Sequence, residues 1–376
     1  MTARLDSLNR DPTSPARHVD WSLVLVALGL TLVGAAMIYS ATKGSGPEPD
    51  TAYLTREVVW IVLAVPVGLV SALVDYRRLR EWSFVGYPLT VLALGAVLFI
   101  GSNRKGAQAW FAFGPFQLQP SEPAKIVLVV VLAAYLAERR GSLGPRALAG
   151  ALALAGLPML LILRQPDLGT MLVFVVVTVG MLAVAGVPAR YLAALVVVGV
   201  VGVGGVLSSD VLADYQRDRL RVFISEDVGE GAQAEAYNLA QSKIAFSLGG
   251  LTGLGYGQGP QTQNDYVPEQ QTDFIFTVVG EELGFVGAAT VLVLFVVLTM
   301  RILRAAHLAR DDFGALLCIG VLVMIVFQVF QNVGMSMGIM PITGIPLPFL
   351  SYGGSSLITT AAGIGLVQNV NMHRLR

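Results

Sequence analysis

Charged and reactive side chains are scarce in this sequence of 376 residues. Only 13% of the residues are charged, 55% are hydrophobic, and the mean hydropathy is +0.68. Soluble domains average about 25% charged residues, so the composition excludes an ordinary soluble protein and predicts an integral membrane protein. The single cysteine, Cys318, lies inside an apolar run. It excludes disulfides and cysteine-ligated zinc, and we interpret it as a small core residue.

Long apolar runs predict about ten transmembrane helices, because one bilayer crossing takes about 20 apolar residues. The runs lie at 21–41, 58–74, 84–101, 123–136, 147–163, 168–187, 191–207, 274–300, 313–333 and 355–370. The predicted fold class is therefore an all-α polytopic membrane protein. Its membrane domain spans 21–371, with a long external loop at 208–272 between the seventh and eighth helices. The segments 1–20 and 372–376 are predicted tails.

Arginines after every second span set the predicted orientation. They follow the second, fourth, sixth and eighth spans and close the chain: Arg77, Arg78, Arg80, Arg139, Arg140, Arg146, Arg190, Arg301, Arg304, Arg310, Arg374 and Arg376. By the positive-inside rule both termini are cytoplasmic, which agrees with an even number of spans. Segment 1–20 lacks a compact apolar core followed by a cleavage site, so we expect a tail and not a cleaved signal peptide.

This orientation leaves the external face without a histidine. The three histidines, His18, His307 and His373, fall on the cytoplasmic side or in the tails. The external face therefore cannot carry a serine triad, a histidine proton shuttle or a histidine zinc site. No Walker A motif occurs, so nothing supports ATP-driven pumping. Acid–base chemistry on the external face must use carboxylates, lysine or tyrosine.

Asp273 stands at the edge of the eighth span and Glu281 and Glu282 lie about two turns inside it, in VPEQQTDFIFTVVGEEL at 267–283. An ionised carboxylate at membrane depth costs several kcal/mol or more unless it is paired or hydrated, which favours a functional use. Asp273 fits a helix N-cap and a general base equally well. On an ideal helix Glu281 lies about 80° from Asp273 and Glu282 lies almost opposite. That geometry favours interhelical salt bridges or hydrogen bonds for the two glutamates.

Two other external segments carry candidate binding groups. In QPSEPAK, Glu122 and Lys125 stand three residues apart at a helix start, so they share a face and can pair or reach into a cavity. Segment 334–354 is rich in proline and glycine yet apolar. Such backbone occurs at membrane depth only where protein buries it or where it lines a wet cavity. It leads into SYGGSS before the last helix, which fits either a phosphate site or a purely structural re-entrant turn.

The long external loop is predicted to contain one more helix. Within 234–248, Tyr237, Ala240, Ile244 and Leu248 recur at helical spacing. This stripe predicts an amphipathic helix that lies on the membrane surface.

Motifs spread in order along nearly the whole chain carry a resemblance to a known family. They lie at 106–110, 119–125, 165–170 (QPDLGT), 241–245 (QSKIA), 272–276 with 280–284, and 332–356. Together they resemble the SEDS family of integral membrane proteins, which includes RodA, FtsW and SpoVE. QPDLGT and PITGIPLPFLSYGGSS are more similar to RodA. The chain departs from the family at Ala109, usually arginine, and at Gln271, usually histidine; Arg104 and Lys105 are possible substitutes for the missing arginine.

The resemblance implies a peptidoglycan glycosyltransferase that polymerises lipid II at the outer face of the bacterial cytoplasmic membrane, during elongation and rod-shape maintenance. It implies a class B penicillin-binding protein as partner and at most a divalent cation, Mg or Mn, as cofactor. Asp273 matches the family's essential aspartate, as general base or metal ligand. A lipid diphosphate leaving group calls for cationic stabilisation. The expected substrate-binding residues are Glu122, Lys125, Arg219, Lys243, Ser351, Gly353 and Ser355.

Two other functions stay open from the residues alone. About ten helices with intramembrane carboxylates also describe a flippase or transporter of a lipid-linked precursor. The sequence shows no inverted repeat, and its polar segments gather on the external face, which argues against a carrier. A non-catalytic scaffold for a penicillin-binding protein would use the same helices.

Overall fold

The computed structural model describes residues 18–44, 50–104, 107–114, 116–207 and 233–374. Within these ranges the helices are α1 (Trp21–Thr42), α2 (Ala52–Leu73), α3 (Tyr76–Ile100), α4 (Ser121–Ala137), α5 (Pro145–Arg164), α6 (Leu168–Ala185), α7 (Ala189–Leu207), α8 (Gln233–Gly249), α9 (Pro260–Gln263), α10 (Ile275–Leu308), α11 (Asp312–Ser336) and α12 (Gly354–Met372). Three short strands, β1 (Ser102–Arg104), β2 (Ala107–Phe113) and β3 (Phe116–Leu118), join α3 to α4.

The fold is all-α and polytopic, as predicted, and each of the ten predicted spans coincides with a helix. Seven helices in the described ranges are long and apolar enough to cross a membrane: α1, α2, α3, α5, α6, α10 and α11. By the same measure α4 is one residue short and α12 does not qualify, and of α7 only the apolar stretch Ala189–Gly199 can be judged. Length and composition therefore support a multi-pass protein, whereas the count of ten stays a prediction.

The strands form a small antiparallel sheet of order β1-β2-β3 that the sequence analysis did not predict. Residues Phe111 and Leu118 pair across β2 and β3, and a register irregularity follows Ser102 in β1. We call the end of the helix bundle that carries this sheet the sheet end. The opposite end carries the arginine-rich connections.

Aspartate caps fix the starts of four helices. Asp20, Asp75, Asp167 and Asp311 accept backbone N–H groups at the starts of α1, α3, α6 and α11, over 2.7 to 3.1 Å. Each such cap contributes about 1 kcal/mol. Asp20 also forms an ion pair with Arg301 at 2.6 Å, which ties the start of α1 to α10 at the arginine-rich end.

Small residues let α2 and α12 pack closely. A Cβ on Gly68 would lie 3.3 Å from the carbonyl oxygen of Ala361, and a Cβ on Gly365 would collide with the carbonyl oxygen of Gly68. Small residues at such contacts are typical of helices packed within membranes, because they let the backbones approach. The first half of α2 thereby lies against the start of α12, where the Trp60 ring covers Gly354.

Two expectations for the eighth span are corrected by the structure. Helix α10 begins at Ile275 with Phe274 as its N-cap residue, and no side chain caps it. Asp273 lies in the turn before the helix, so its interpretation as an N-cap is wrong. Gly284, with φ 65° and ψ −166°, interrupts the helix. Because Asp273 lies outside the helix, the ideal-helix angles between it and the two glutamates do not apply; the kink at Gly284 comes after both glutamates.

The predicted helix in the long loop is confirmed as α8. Its inner face is made of Ser242, Ala245 and Gly249, which are buried, and a Cβ on Gly249 would collide with the carbonyl of Gly280 in α10. The predicted stripe at Tyr237, Ala240, Ile244 and Leu248 faces outward and is exposed. Its location on a membrane surface stays a prediction.

Candidate active site

A cavity of about 270 Å³ lies at the sheet end, where the first turns of α4, α6 and α12 come together. The turn before α10 and the connection between α11 and α12 close its other sides. Its polar lining consists of Gln119, Glu122, Lys125, Asp167, Thr170, Thr272, Asp273, Thr343, Tyr352, Ser355 and Ser356, and its apolar lining includes Trp110 and Ile345.

Three helix N-termini face this cavity, which makes it suited to an anion. Each N-terminus carries roughly half a positive charge from its unpaired N–H groups. Helix α6 is capped by the Asp167 carboxylate, but Pro120 and Gly353, the N-cap residues of α4 and α12, provide no side-chain cap. At the start of α4 the N–H of Glu122 donates to the carbonyl of Gln119 and Pro123 has no N–H, so it is the first turn of α12 that offers N–H groups to a ligand. Gly353 and Ser355, both predicted to bind substrate, line the cavity beside them.

Glu122 and Lys125 form a buried ion pair on the first turns of α4. The lysine Nζ lies 2.8 Å from each carboxylate oxygen, and the two side chains are only 3–4% exposed. Both residues also line the cavity. The two uses that the sequence left open, mutual pairing and access to a cavity, thus occur together. The pair places a cation beside the uncapped start of α4.

Asp273 also lines this cavity, on the turn that leads into α10. Its backbone is held at both ends of the residue. The N–H donates to the carbonyl of Glu269 at 3.0 Å, and the carbonyl accepts from Asn332 Nδ2 at 2.8 Å. A carboxylate on a fixed backbone thus shares one cavity with a lysine and two uncapped helix starts.

The connection between α11 and α12 forms a wall of the cavity. It is joined to the Asp273 turn because the N–H of Tyr352 donates to the carbonyl of Gln271 at 2.8 Å. Burial raises the pKa of Tyr352, so its hydroxyl stays protonated and can donate at neutral pH. Ser351 is buried and its Oγ accepts the N–H of Leu347, so this predicted substrate-binding residue stabilises the turn and does not line the cavity.

Asp167 is a cavity residue that was not predicted, although it belongs to the motif QPDLGT. The Asp167 carboxylate accepts from Gln119 Nε2 at 2.9 Å and from the Thr170 hydroxyl at 2.8 Å, and all three side chains line the cavity. An acid directly before an apolar run was the available signal, the same one that identified Asp273. Ala109, at the position where the family usually has arginine, also lines the cavity and is buried.

Of the two other predicted binding residues, the structure describes only Lys243, which does not line this cavity. Lys243 lies on α8, where its side chain rests against Gly338. Arg219 lies outside the described residues, as do Arg217 and Arg221.

Glu281 and Glu282 form hydrogen bonds that fasten the external connection to the bundle, as predicted for the pair. Glu281 accepts the backbone N–H groups of Gln261 and Thr262 at 2.8 and 2.9 Å, which caps the start of α9. Glu282 accepts the hydroxyl of Ser40 in α1 at 2.7 Å. Neither glutamate lines the cavity, so both support the fold around it.

The described residues contain no group of three or more histidine, cysteine, aspartate or glutamate side chains that could hold a metal ion. The carboxylates at the cavity are separately engaged, Glu122 by Lys125 and Asp167 by Gln119 and Thr170. A preformed all-protein metal cage is therefore absent from the described part of the chain.

Comparison with known proteins covers nearly the full length. The family model described as cell cycle protein, for FtsW, RodA and SpoVE, matches residues 20–376. The peptidoglycan glycosyltransferase MrdB of Escherichia coli K12 is 36% identical over 363 residues, which cover 95% of this chain and 94% of that protein. The peptidoglycan glycosyltransferase RodA of Treponema pallidum is 32% identical over 426 residues, covering 95% and 98% respectively.

Solved structures share the fold over the same extent. The crystal structure of the rod shape determining protein RodA of Thermus thermophilus matches with a TM-score of 0.72 and 31% identity, over 95% of this chain and 98% of that one. A chain from a peptidoglycan synthase complex that coordinates polymerization and crosslinking matches with a TM-score of 0.79 and 32% identity, over 95% and 99%.

Proposed function

The chain belongs to the family of the cell cycle proteins FtsW, RodA and SpoVE, and we propose that it polymerises lipid II into glycan strands. It is a peptidoglycan glycosyltransferase of the bacterial cytoplasmic membrane, with a role in cell elongation and rod shape. The cavity at the sheet end is its active site in this proposal. By the arginine distribution the cavity opens to the outside and both termini are cytoplasmic.

One observation carries the proposal: a carboxylate, a buried lysine and two uncapped helix starts line a single cavity. The reaction needs these groups at opposite ends of the reacting centre. The acceptor sugar hydroxyl must lose a proton, and the departing lipid diphosphate must be stabilised as an anion. A carrier of the same lipid would need the anion site but no general base, and a scaffold would need neither.

The catalytic step uses Asp273 as general base. The acceptor hydroxyl oxygen attacks the anomeric carbon of the donor sugar while its proton passes to the Asp273 carboxylate. The bond between the anomeric carbon and the diphosphate oxygen breaks, and the diphosphate leaves with the bonding pair. A single direct displacement inverts the anomeric centre, so the α-linked diphosphate becomes a β-linked glycan.

The leaving diphosphate binds at the starts of α4 and α12. Lys125 supplies a cation there, and the backbone N–H groups near Gly353 and Ser355 donate to phosphate oxygens. Lys125 is already paired with Glu122, which holds the ammonium group at the cavity wall and prevents it from turning away. Gln119, Thr170 and Tyr352 add hydroxyl and amide groups that can bind the sugars.

A divalent cation is compatible with these residues only as a companion of the substrate. Magnesium in phosphate-binding sites commonly uses one or two carboxylates and completes its shell with water and phosphate oxygens. Asp273 or Asp167 together with the substrate diphosphate meets that requirement. When bound, such an ion would neutralise charge on the diphosphate.

A class B penicillin-binding protein is the proposed partner, since crosslinking must follow polymerisation. The relevant support is the match to a chain of a peptidoglycan synthase complex. Lipid-facing helices with large exposed apolar side chains, such as Phe84 and Phe99 of α3, are available for contacts within the membrane.

The test compares polymerisation and translocation by the same protein. Purified chain, together with a catalytically silent partner, is supplied with lipid II in detergent and in vesicles. We expect glycan strands from the wild type and none from Asp273→Ala. Asp265→Ala is the matched control, because Asp265 lies outside the cavity on the same external connection, where it accepts from Gln270. It should polymerise within threefold of wild type.

Two outcomes would overturn the proposal. If folded Asp273→Ala protein formed polymer as well as the wild type, Asp273 would not be the general base. Translocation of lipid II across vesicles without any polymer would identify a carrier instead.

A further inference from the structure

Asn332 of α11 is a buried amide that contacts the two walls of the cavity at once. Its Nδ2 donates to the carbonyl of Asp273 at 2.8 Å and to the carbonyl of Ile345 at 2.9 Å. The residue is fully buried, and both Asp273 and Ile345 line the cavity. An amide nitrogen has two hydrogens, so these two bonds use its full donor capacity.

The orientation of this amide is fixed by its acceptors. Turning the group over would place Oδ1 against two carbonyl oxygens, which repel it. In the observed orientation Oδ1 is buried without a hydrogen-bond partner. A buried polar atom without a partner costs free energy, roughly 1–3 kcal/mol. The unpaired Oδ1 thus destabilises the fold at this position, while both N–H donors of Asn332 bond to the two walls of the cavity.

The backbone of Asp273 needs such a support because no helix supplies it. Asp273 lies in a turn, outside the regular hydrogen bonds of α10, and α10 begins without a side-chain cap. Asn332 instead projects from α11, whose neighbouring residues Gln328, Gln331 and Ser336 are buried as well. The carbonyl of Asp273 is thus anchored on a helix that is largely buried.

We propose that Asn332 is a positioning residue for the polymerisation step: it holds Asp273 at a fixed distance from the wall formed by Ile345. This inference rests on the proposed role of Asp273 as general base. A base must reach the acceptor hydroxyl within hydrogen-bond distance, and a displacement of about 1 Å can reduce a rate about 100-fold. The Asn332 side chain makes no hydrogen bond to the starts of α4 and α12, where the diphosphate binds in this proposal.

The test separates turnover from substrate binding. Asn332→Leu keeps the size of the side chain and removes both donors, and Asn332→Asp keeps its shape but cannot donate to both carbonyl groups at once. We expect kcat for lipid II polymerisation to fall at least tenfold in both variants, with KM for lipid II within threefold of wild type. A residue that only stabilised the fold would lower the amount of active protein and leave kcat per folded molecule unchanged.

Gln331→Met is the matched control. Gln331 is the neighbouring buried amide on the same helix, and its Nε2 donates to the carbonyl of Pro341 in the same connection, but it does not contact Asp273. We expect this variant to keep kcat within threefold of wild type.

The results distinguish this inference from the proposed function. Asp273→Asn is measured alongside, and full activity of that variant would overturn both. Loss of activity in Asp273→Asn with normal kcat in either Asn332 variant would overturn the positioning role alone. Unfolding of both Asn332 variants, or a kcat loss of the same size in Gln331→Met, would also overturn it, because the residue would then act on the fold.

Discussion

The buried pair of Glu122 and Lys125 gives a prediction in which stability and activity respond differently. At a separation of 2.8 Å two unit charges attract by about 6 kcal/mol if the effective dielectric constant is about 20. Desolvation of both ions offsets much of this attraction. Removing one partner leaves the other charge buried alone, which costs roughly 3–5 kcal/mol. Lys125→Met and Glu122→Leu should therefore each lower the thermal unfolding midpoint in detergent by several degrees.

The double variant should behave differently in the two assays. Glu122→Leu combined with Lys125→Met removes both charges and leaves apolar side chains of similar size, so the unfolding midpoint should return close to that of the wild type. Polymerisation of lipid II should stay lost, since the cation for the diphosphate is absent. Stability is read from thermal unfolding and activity from glycan strands per folded molecule.

Two results would refute this reasoning. A double variant as unstable as either single variant would show that the charges do not compensate each other. A stable variant without Lys125 that polymerises at the wild-type rate would show that the lysine does not assist the leaving diphosphate.

Three further predictions test the residues that surround the cavity. Glu281→Ala leaves two backbone N–H groups and the Thr262 hydroxyl without their acceptor and should lower stability by roughly 2–4 kcal/mol, measured by denaturant unfolding. Gly249→Val should push α8 away from α10 and make it sensitive to protease, whereas Ala240→Val, on the exposed face, should not. Gly354→Ala should place a methyl group against the Trp60 ring and reduce polymerisation; Trp60→Ala in the same chain should restore part of it.

Hydropathy located the membrane helices because apolar length is a direct requirement of the bilayer. The boundaries differ where charged side chains continue a helix beyond the apolar run. Helix α2 begins at Ala52 and not at 58, since Glu57 is buried within the helix. Helix α10 extends to Leu308 past Arg301, whose long side chain reaches Asp20. Periodicity and hydropathy cannot report such long-range partners.

Local conformation at the site was harder to predict. The kink at Gly284 and the turn at Asp273 depend on contacts with residues 250–253, which follow α8, and with Asn332 in α11. The small sheet joins segments that the sequence showed only as an external connection. In each case the deciding contact joins residues far apart in the chain or lies in a short irregular segment.

Candidate site residues could be predicted where the sequence shows a helix start or a charged side chain beside an apolar run. Asp273, Glu122, Lys125, Gly353 and Ser355 line one cavity, and their catalytic and binding roles stay predictions. Ser351 and Lys243 belong to the same motifs, yet the structure shows them in packing roles, because neighbouring residues in a turn or helix point in different directions.

The most direct measurement of the central claim is the rate of lipid II polymerisation by Asp273→Asn, which preserves the shape of the side chain and removes its basicity. Purified wild-type and variant chains, each with the silent partner and with equal folded fractions, are compared by glycan length over time. The account predicts no detectable glycan from Asp273→Asn while lipid II still binds. Glycan strands formed at the wild-type rate would contradict it.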